Sequence, residues 1–334
     1  MASQTIFEVA GITAAPGTLA KGYLDSVELA DGTHVRIPLI LANGTQPGPT
    51  VFLGAGSHGD EINGIRAVID AMNAIDPTKL TGRVVGVPVQ NPLTFRSRQR
   101  LVTVNQLDSQ NMHRVFPGSA TGDIASRTAH TILADIVEAA HCDMVVDYHT
   151  GSTGSYCPPH TFVSTIGDAE VVRRSVEAAN AFNAGIMIQA GGVAGVYALA
   201  NMLHMVAVER GIPAFGCELG TAIPAEAHHS AIGTQGALNV LVAMGMIADV
   251  QVTTSEQIIV DGIADVRADV AGICDYLVEP GQRLEKGQPL VRFIDVFGRT
   301  RGTAISPVDG YLVTRSFYGA MNEGERVARI GFRA

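Results

Sequence analysis

TVFLGAGSHGDEINGIRAV, residues 50–68, changes character twice within one short span. The apolar run 50–56 reads as a strand, and a polar glycine-rich loop follows it. Beyond Glu61, Ile62, Ile65, Val68, Ile69 and Met72 recur at helical spacing. A strand that passes through such a loop into a helix is the building unit of an α/β sheet. In open sheets of that kind, ligands sit beyond the carboxyl ends of the strands. His58 and Glu61 fall at that position.

Working outward, the stretch GYLDSVELADGTHVRIPLILA within residues 1–49 alternates apolar and polar positions around Ala30-Asp31-Gly32, which predicts an antiparallel hairpin. Downstream, short apolar runs at 83–90, 143–149, 185–189 and 213–218 alternate with helical periodicity at 122–141, 168–183 and 230–248. The expected fold is α/β, with a mixed, largely parallel sheet flanked by helices. Past about 255 the helical period disappears and Gly, Pro and β-branched residues dominate. Two domains are expected: residues 1–255, and a smaller all-β, barrel-like domain at 256–334. Within the second, PGQRLEKGQPLVRF (280–293) and NEGERVARIGF (322–332) share a turn leading into a strand, and the module resembles the hammerhead barrel of biotinyl and lipoyl domains. Those domains carry their group on a hairpin-tip Lys; the corresponding IDVFGRT (294–300) has none, which disfavours a carrier role.

Composition narrows the function. The 334 residues are 46% hydrophobic, enough for a sizeable core. A net charge of -9, from 32 acidic and 23 basic side chains, argues against nucleic acid as a partner. Cys142, Cys157, Cys217 and Cys274 form no CxxC pair, which fits a reducing cytoplasm better than a disulfide scaffold. The N-terminus has no basic segment followed by a long apolar one, and the apolar stretch 238–250 is interrupted by Asn239 and Gly245. A soluble cytoplasmic protein without a membrane partner is expected, and a homo-oligomer is open.

An imidazole and a carboxylate three residues apart can converge on one cation, and zinc accepts both ligand types with a third protein ligand and water. Taken alone, His58 and Glu61 equally suit a helix N-terminus with an acid at its positive end. The third ligand expected is His149 of DMVVDYHTGSTG, which closes an apolar strand before a small-residue loop. Asp147 shares its face of that strand and is placed to orient a ligand, or to cap nearby backbone. Glu218 in PAFGCELG ends another apolar strand, where a carboxylate is costly to bury without a task or a partner; it is the candidate general base. Arginines in NPLTFRSRQR (91–100) and LDSQNMHRVFPG (107–118) suit capture of a substrate carboxylate and of an oxyanion. An ion pair with Asp108 is the plainer reading of Arg114. His130, His141 and His204 read as packing or surface residues, and His228-His229 as loop.

Together HGDE, the NP segment, NMHRVFPG, DYHTG, CELG and the terminal β module resemble, in order, the succinylglutamate desuccinylase/aspartoacylase family, related in fold to zinc carboxypeptidases. The resemblance implies one Zn2+ per chain on His58, Glu61 and His149, with Glu218 as general base and acid. It implies that Arg100 polarises the scissile carbonyl, with Arg96 and Arg98 as neighbouring alternatives, and that Arg114 grips the substrate carboxylate. The family's usual DLNR reads Asn111-Met112-His113-Arg114 here, so Asn111 and His113 are the substrate-binding candidates beside Arg114. The expected activity is hydrolysis of the amide of a small N-acyl amino acid. A metallocarboxypeptidase for short peptides and a non-catalytic metal-containing binding protein are the alternatives.

Overall fold

The computed structural model describes residues 4–103, 109–151, 154–189, 201–222, 225–248, 251–253 and 256–333. Asp108 lies outside them, as do Ser152 and Thr153 of the loop after His149.

A nine-stranded sheet forms the frame, in the order Ile258–Val260, Ile186–Gln189, His160–Val163, Ala214–Thr221, Met144–Gly151, Gln46–Ala55, Thr81–Val87, His34–Asn43 and Thr18–Glu28. Its central strands run parallel, from Ala214–Thr221 through Met144–Gly151 and Gln46–Ala55 to Thr81–Val87. The hairpin around Ala30-Asp31-Gly32 adds the antiparallel edge. The sheet is therefore mixed and largely parallel, as its apolar runs require.

Strand periodicity sorts the residues into two layers. Val146 and Tyr148 face one layer with Ile65, Val68 and Met72 of the helix Ile62–Ala74 and with Val240 and Leu241 of the helix Ala227–Ala243. Val145 faces the other, with Ile132 and Ile136 of the helical segment Thr131–Glu138 and Leu203 and Val206 of the helix Leu203–Glu209. Asp147 and His149 continue the Val145 face toward the strand's carboxyl end, where apolar packing gives way to polar groups.

The C-terminal part is built of small antiparallel sheets around Leu284, Leu290, Phe293, Leu312, Val327 and Ile330. Among the described residues their ladders stay open rather than closing into a barrel, since the strands Arg283–Leu284 and Ala320–Met321 are only two residues long. The two parts of the chain exchange strands. Ile258–Val260 runs parallel to Ile186–Gln189 at the edge of the large sheet, and Ser155–Tyr156 pairs with Gly310–Ser316. His160–Val163, a strand with no clear sequence signal, inserts antiparallel to Ala214–Thr221. No described helix is long and apolar enough to cross a membrane.

Candidate metal centre and active site

The loop between Gln46–Ala55 and Ile62–Ala74 has little room to vary. Gly56 takes a positive φ of 68°, and a Cβ on Gly59 would stand 1.9 Å from the carbonyl of Thr94. The loop is thereby pressed against the helix Pro92–Ser97, with His58 and Glu61 turned inward and each about 1% exposed. His149 arrives from the adjacent strand Met144–Gly151 and Glu218 from the next, paired in register as Glu218 with His149.

Both oxygens of Glu61 are met by imidazoles: His58 Nδ1 lies 2.7 Å from Oε1 and His149 Nδ1 lies 2.8 Å from Oε2. The backbone N–H of Thr150 also donates to Oε2, at 3.2 Å. Arg100 Nη1 donates to Oε1 at 3.0 Å, while Arg96 and Arg98 are exposed; of the three candidates, Arg100 is the one that reaches the cluster. Asn111 Oδ1 accepts the backbone N–H of His113 at 3.0 Å, which fixes it as the amide oxygen, and lies 2.9 Å from His58 Nε2. His58 must therefore carry its proton on Nε2, leaving the Nδ1 lone pair facing a carboxylate oxygen.

Two acceptors in that relation call for a positive charge beside them, and Arg100 Nη1, 3.3 Å from Nδ1 and 3.0 Å from Oε1, supplies one. The electrostatics agree. Burial opposes the charge on Glu61, yet His58 and His149 hold its carboxyl well below the usual range. Burial likewise opposes charging His149, yet Asp147 and Glu61 hold its imidazole well above its ordinary value. Buried negative potential is therefore concentrated where the donor atoms of His58, Glu61 and His149 lie within 4.8 Å of one another. Imidazole and carboxylate donors gathered this closely could hold one divalent ion between them. The residues fit a divalent cation.

Glu218 faces the opposite conditions. Its Oε2 is buried without a hydrogen-bond partner among the described residues. Burial first, and then the charge of Glu61, push its carboxyl up to about 7, the range in which a carboxylate exchanges protons readily near neutrality. Arg114, half-buried, likewise leaves Nη1 without a partner, and burial, followed by Arg100 and Arg329, lowers its guanidinium from its usual value. Opposite Glu218, His160 is fully buried and pushed down to about 4 by burial, with Arg329 adding to the effect; Nδ1 lies 2.9 Å from the Pro158 carbonyl.

The structure brings Asn111 and His113 to this cluster: Asn111 Oδ1 accepts from His58, and His113 Nε2 donates to Asp147 Oδ2 at 2.7 Å. His204 does not merely pack; its Nδ1 lies 3.3 Å from the same oxygen. A lone histidine on an apolar helix gives no sign of such a partner. His228 and His229 stand in the first turn of the helix Ala227–Ala243 rather than in a loop, with Glu226 beside them.

Residues 47–244, well over half of the chain, match the succinylglutamate desuccinylase/aspartoacylase catalytic domain. The chain belongs to that family. It is a family of amide-hydrolysing deacylases, and the ordered motifs are thereby accounted for. The N-alpha-acetyl-L-2,4-diaminobutyric acid deacetylase from Halomonas elongata is 30% identical to this chain over 308 residues, spanning 89% of this chain and 85% of the relative. Two solved structures share the fold over nearly their whole lengths. The product-bound ectoine utilization protein EutE (DoeB) from Ruegeria pomeroyi has a TM-score of 0.84 and 23% identity, covering 98% of this chain and 99% of its own. The succinylglutamate desuccinylase/aspartoacylase from Rhodobacter sphaeroides has a TM-score of 0.82 and 24% identity, covering 95% of each chain.

Proposed function

We propose that this member of the family is a zinc-dependent deacylase that hydrolyses the amide of a small N-acyl amino acid, with His58, Glu61 and His149 holding one Zn2+ per chain. The observation that carries the reading is the pair of imidazole Nδ1 atoms turned onto the two oxygens of Glu61, beside a Glu218 oxygen that has no partner among the described residues. Bound there, the cation would supply Lewis acidity toward water and the acyl carbonyl. Glu218 accepts the proton of the attacking water and returns it to the nitrogen of the departing amine, so the products are a carboxylate and a free amine. Arg100, anchored on Glu61, presents positive charge where the carbonyl oxygen becomes an oxyanion. Arg114 offers Nη1, which has no partner among the described residues, to the carboxylate of the amino acid.

Similarity to the Halomonas deacetylase supports an acetyl group on the amine of a short amino acid as the first substrate to try. The test is metal analysis of purified protein, together with hydrolysis of a panel containing N-acetyl amino acids, N-succinyl amino acids and blocked peptides. Release of amine from the small acylated amino acids by metal-loaded protein only is expected. Equal hydrolysis by metal-stripped protein would defeat the proposal, and a preference for blocked peptides would turn it into a carboxypeptidase.

A further inference from the structure

Behind His149, on the side away from Glu61, a second group of buried polar side chains has no part in the chemistry described above. Asp147 is 0% exposed, and its Oδ2 is the meeting point of three imidazoles. His113 Nε2 lies at 2.7 Å, His204 Nδ1 at 3.3 Å and His149 Nε2 at 3.3 Å. His113 Nε2 and His149 Nε2 are also within hydrogen-bond distance of each other, at 3.1 Å. The three histidines come from separate places: the short helical turn Met112–Arg114, the helix Leu203–Glu209 and the strand Met144–Gly151. The strands on either side of Asp147 carry glycine at its register, Gly54 and Gly216, and the rings of Phe52 and Phe162 lie over those glycines. Phe162 also meets the His204 ring edge to face at 5.0 Å. Solvent has no access to the carboxylate, so its orientation depends on these donors.

We infer that His113 and His204 are positioning residues: they clamp the Asp147 carboxylate from two sides so that it holds His149 with Nδ1 turned toward the metal position. The inference rests on the metal reading of the site. A neutral His149 that gives its Nδ1 lone pair to a cation must carry its proton on Nε2, and Asp147 Oδ2 is the anion that faces that proton. A carboxylate held by His149 alone would be free to rotate about χ2. With His113 and His204 donating to the same oxygen, rotation of Asp147 breaks two further hydrogen bonds, so the ring plane of His149 is fixed before the cation arrives. Partners of this kind, lying behind a metal ligand, change affinity by about 10- to 100-fold when removed.

The experiment measures Zn2+ affinity by competition with a chromogenic chelator, and the visible spectrum of the Co2+-loaded protein, for wild type, His204→Ala, His204→Gln, Asp147→Asn and the double variant His204→Ala/Asp147→Asn. Wild type is expected to bind one metal per chain. His204→Ala should weaken binding by about 10- to 100-fold and shift the Co2+ bands, and His204→Gln, which keeps an N–H donor, should recover part of the loss. In the Asp147→Asn background, His204→Ala should add little, because its effect passes through that carboxylate. Unchanged affinity in His204→Ala overturns the inference, as does a full additive loss in the double variant. Two metals per chain in wild type, falling to one in His204→Ala, also overturns it by making the cluster a metal site in its own right. Wild type that binds no divalent metal overturns the reading of the Glu61 site, and the inference with it, a result distinct from the others.

Discussion

Glu61 and Glu218 stand at the carboxyl ends of the same sheet, and their surroundings drive the two carboxyls in opposite directions. Glu61 has both oxygens engaged, by His58 and Arg100 on one and by His149 and the Thr150 N–H on the other, and it stays ionised despite burial. Glu218 has a buried oxygen with no partner among the described residues and is pushed up to about 7. Two carboxyls whose environments separate them in this way have separate tasks: one fixes charge, the other trades a proton. On the proposed reading, the wall around Glu61 holds a cation, and the wall carrying Glu218 and Arg114 turns its polar atoms to a substrate.

The sharpest way to break this contrast is to remove the charge-fixing side. Glu61→Gln is expected to lose its metal and, with it, several kcal/mol of transition-state stabilisation, on the order of 10⁴ in rate; metal analysis and hydrolysis rates check both. Glu218→Gln tests the other wall. Here kcat should fall by about 10³ while metal content stays at the wild-type level. A Glu218→Gln protein that loses metal as Glu61→Gln does would erase the distinction between the two acids.

Arg114→Ala sharpens the substrate side. Loss of a charged hydrogen bond to a carboxylate should raise KM by about 10- to 100-fold, with a smaller effect on kcat. Steady-state kinetics on an N-acyl amino acid and on its carboxamide analogue check this, since the carboxamide should lose its disadvantage in the variant.

The smallest expected effect concerns His160, which lies across from Glu218. Its folded-state value of about 4 is below the ordinary 6.5, so the unfolded chain binds the extra proton between those two values. Stability is therefore unaffected by this group above pH 6.5, falls as pH drops through that window, and levels off below about 4. Between pH 7 and 5.5 the loss is about 1 kcal/mol. Urea midpoints for wild type should fall more steeply over that range than those of His160→Gln; parallel curves would show that this wall is not as dry as its burial indicates.

Much of this was legible along the chain. The strand, loop and helix of residues 50–68 appear where the alternation of apolar runs places them, because a buried parallel strand and an amphipathic helix write different periods into the sequence. His58, Glu61, His149 and Glu218 were also legible, each ending a strand or opening the helix that follows one, where the backbone leaves the apolar interior. Other features left no trace. His160–Val163 is too short to show a period, and Ile258–Val260 joins the large sheet from a stretch whose composition matches the small sheets. His204 sits on a helix of ordinary apolar pattern.

What the sequence determined by itself is a set of local preferences: which segments bury both faces, which loop must be tight, and which side chains stand at strand ends. Only the tertiary structure decided who meets whom. That Arg100 rather than Arg96 or Arg98 reaches Glu61, that Asn111 fixes the tautomer of His58, and that three histidines from three elements converge on Asp147 are all consequences of long-range packing. The physical reason is range: periodicity and turn chemistry act over a few residues, whereas a hydrogen bond between His204 and Asp147 joins positions that only the assembled sheet and its covering helix bring together.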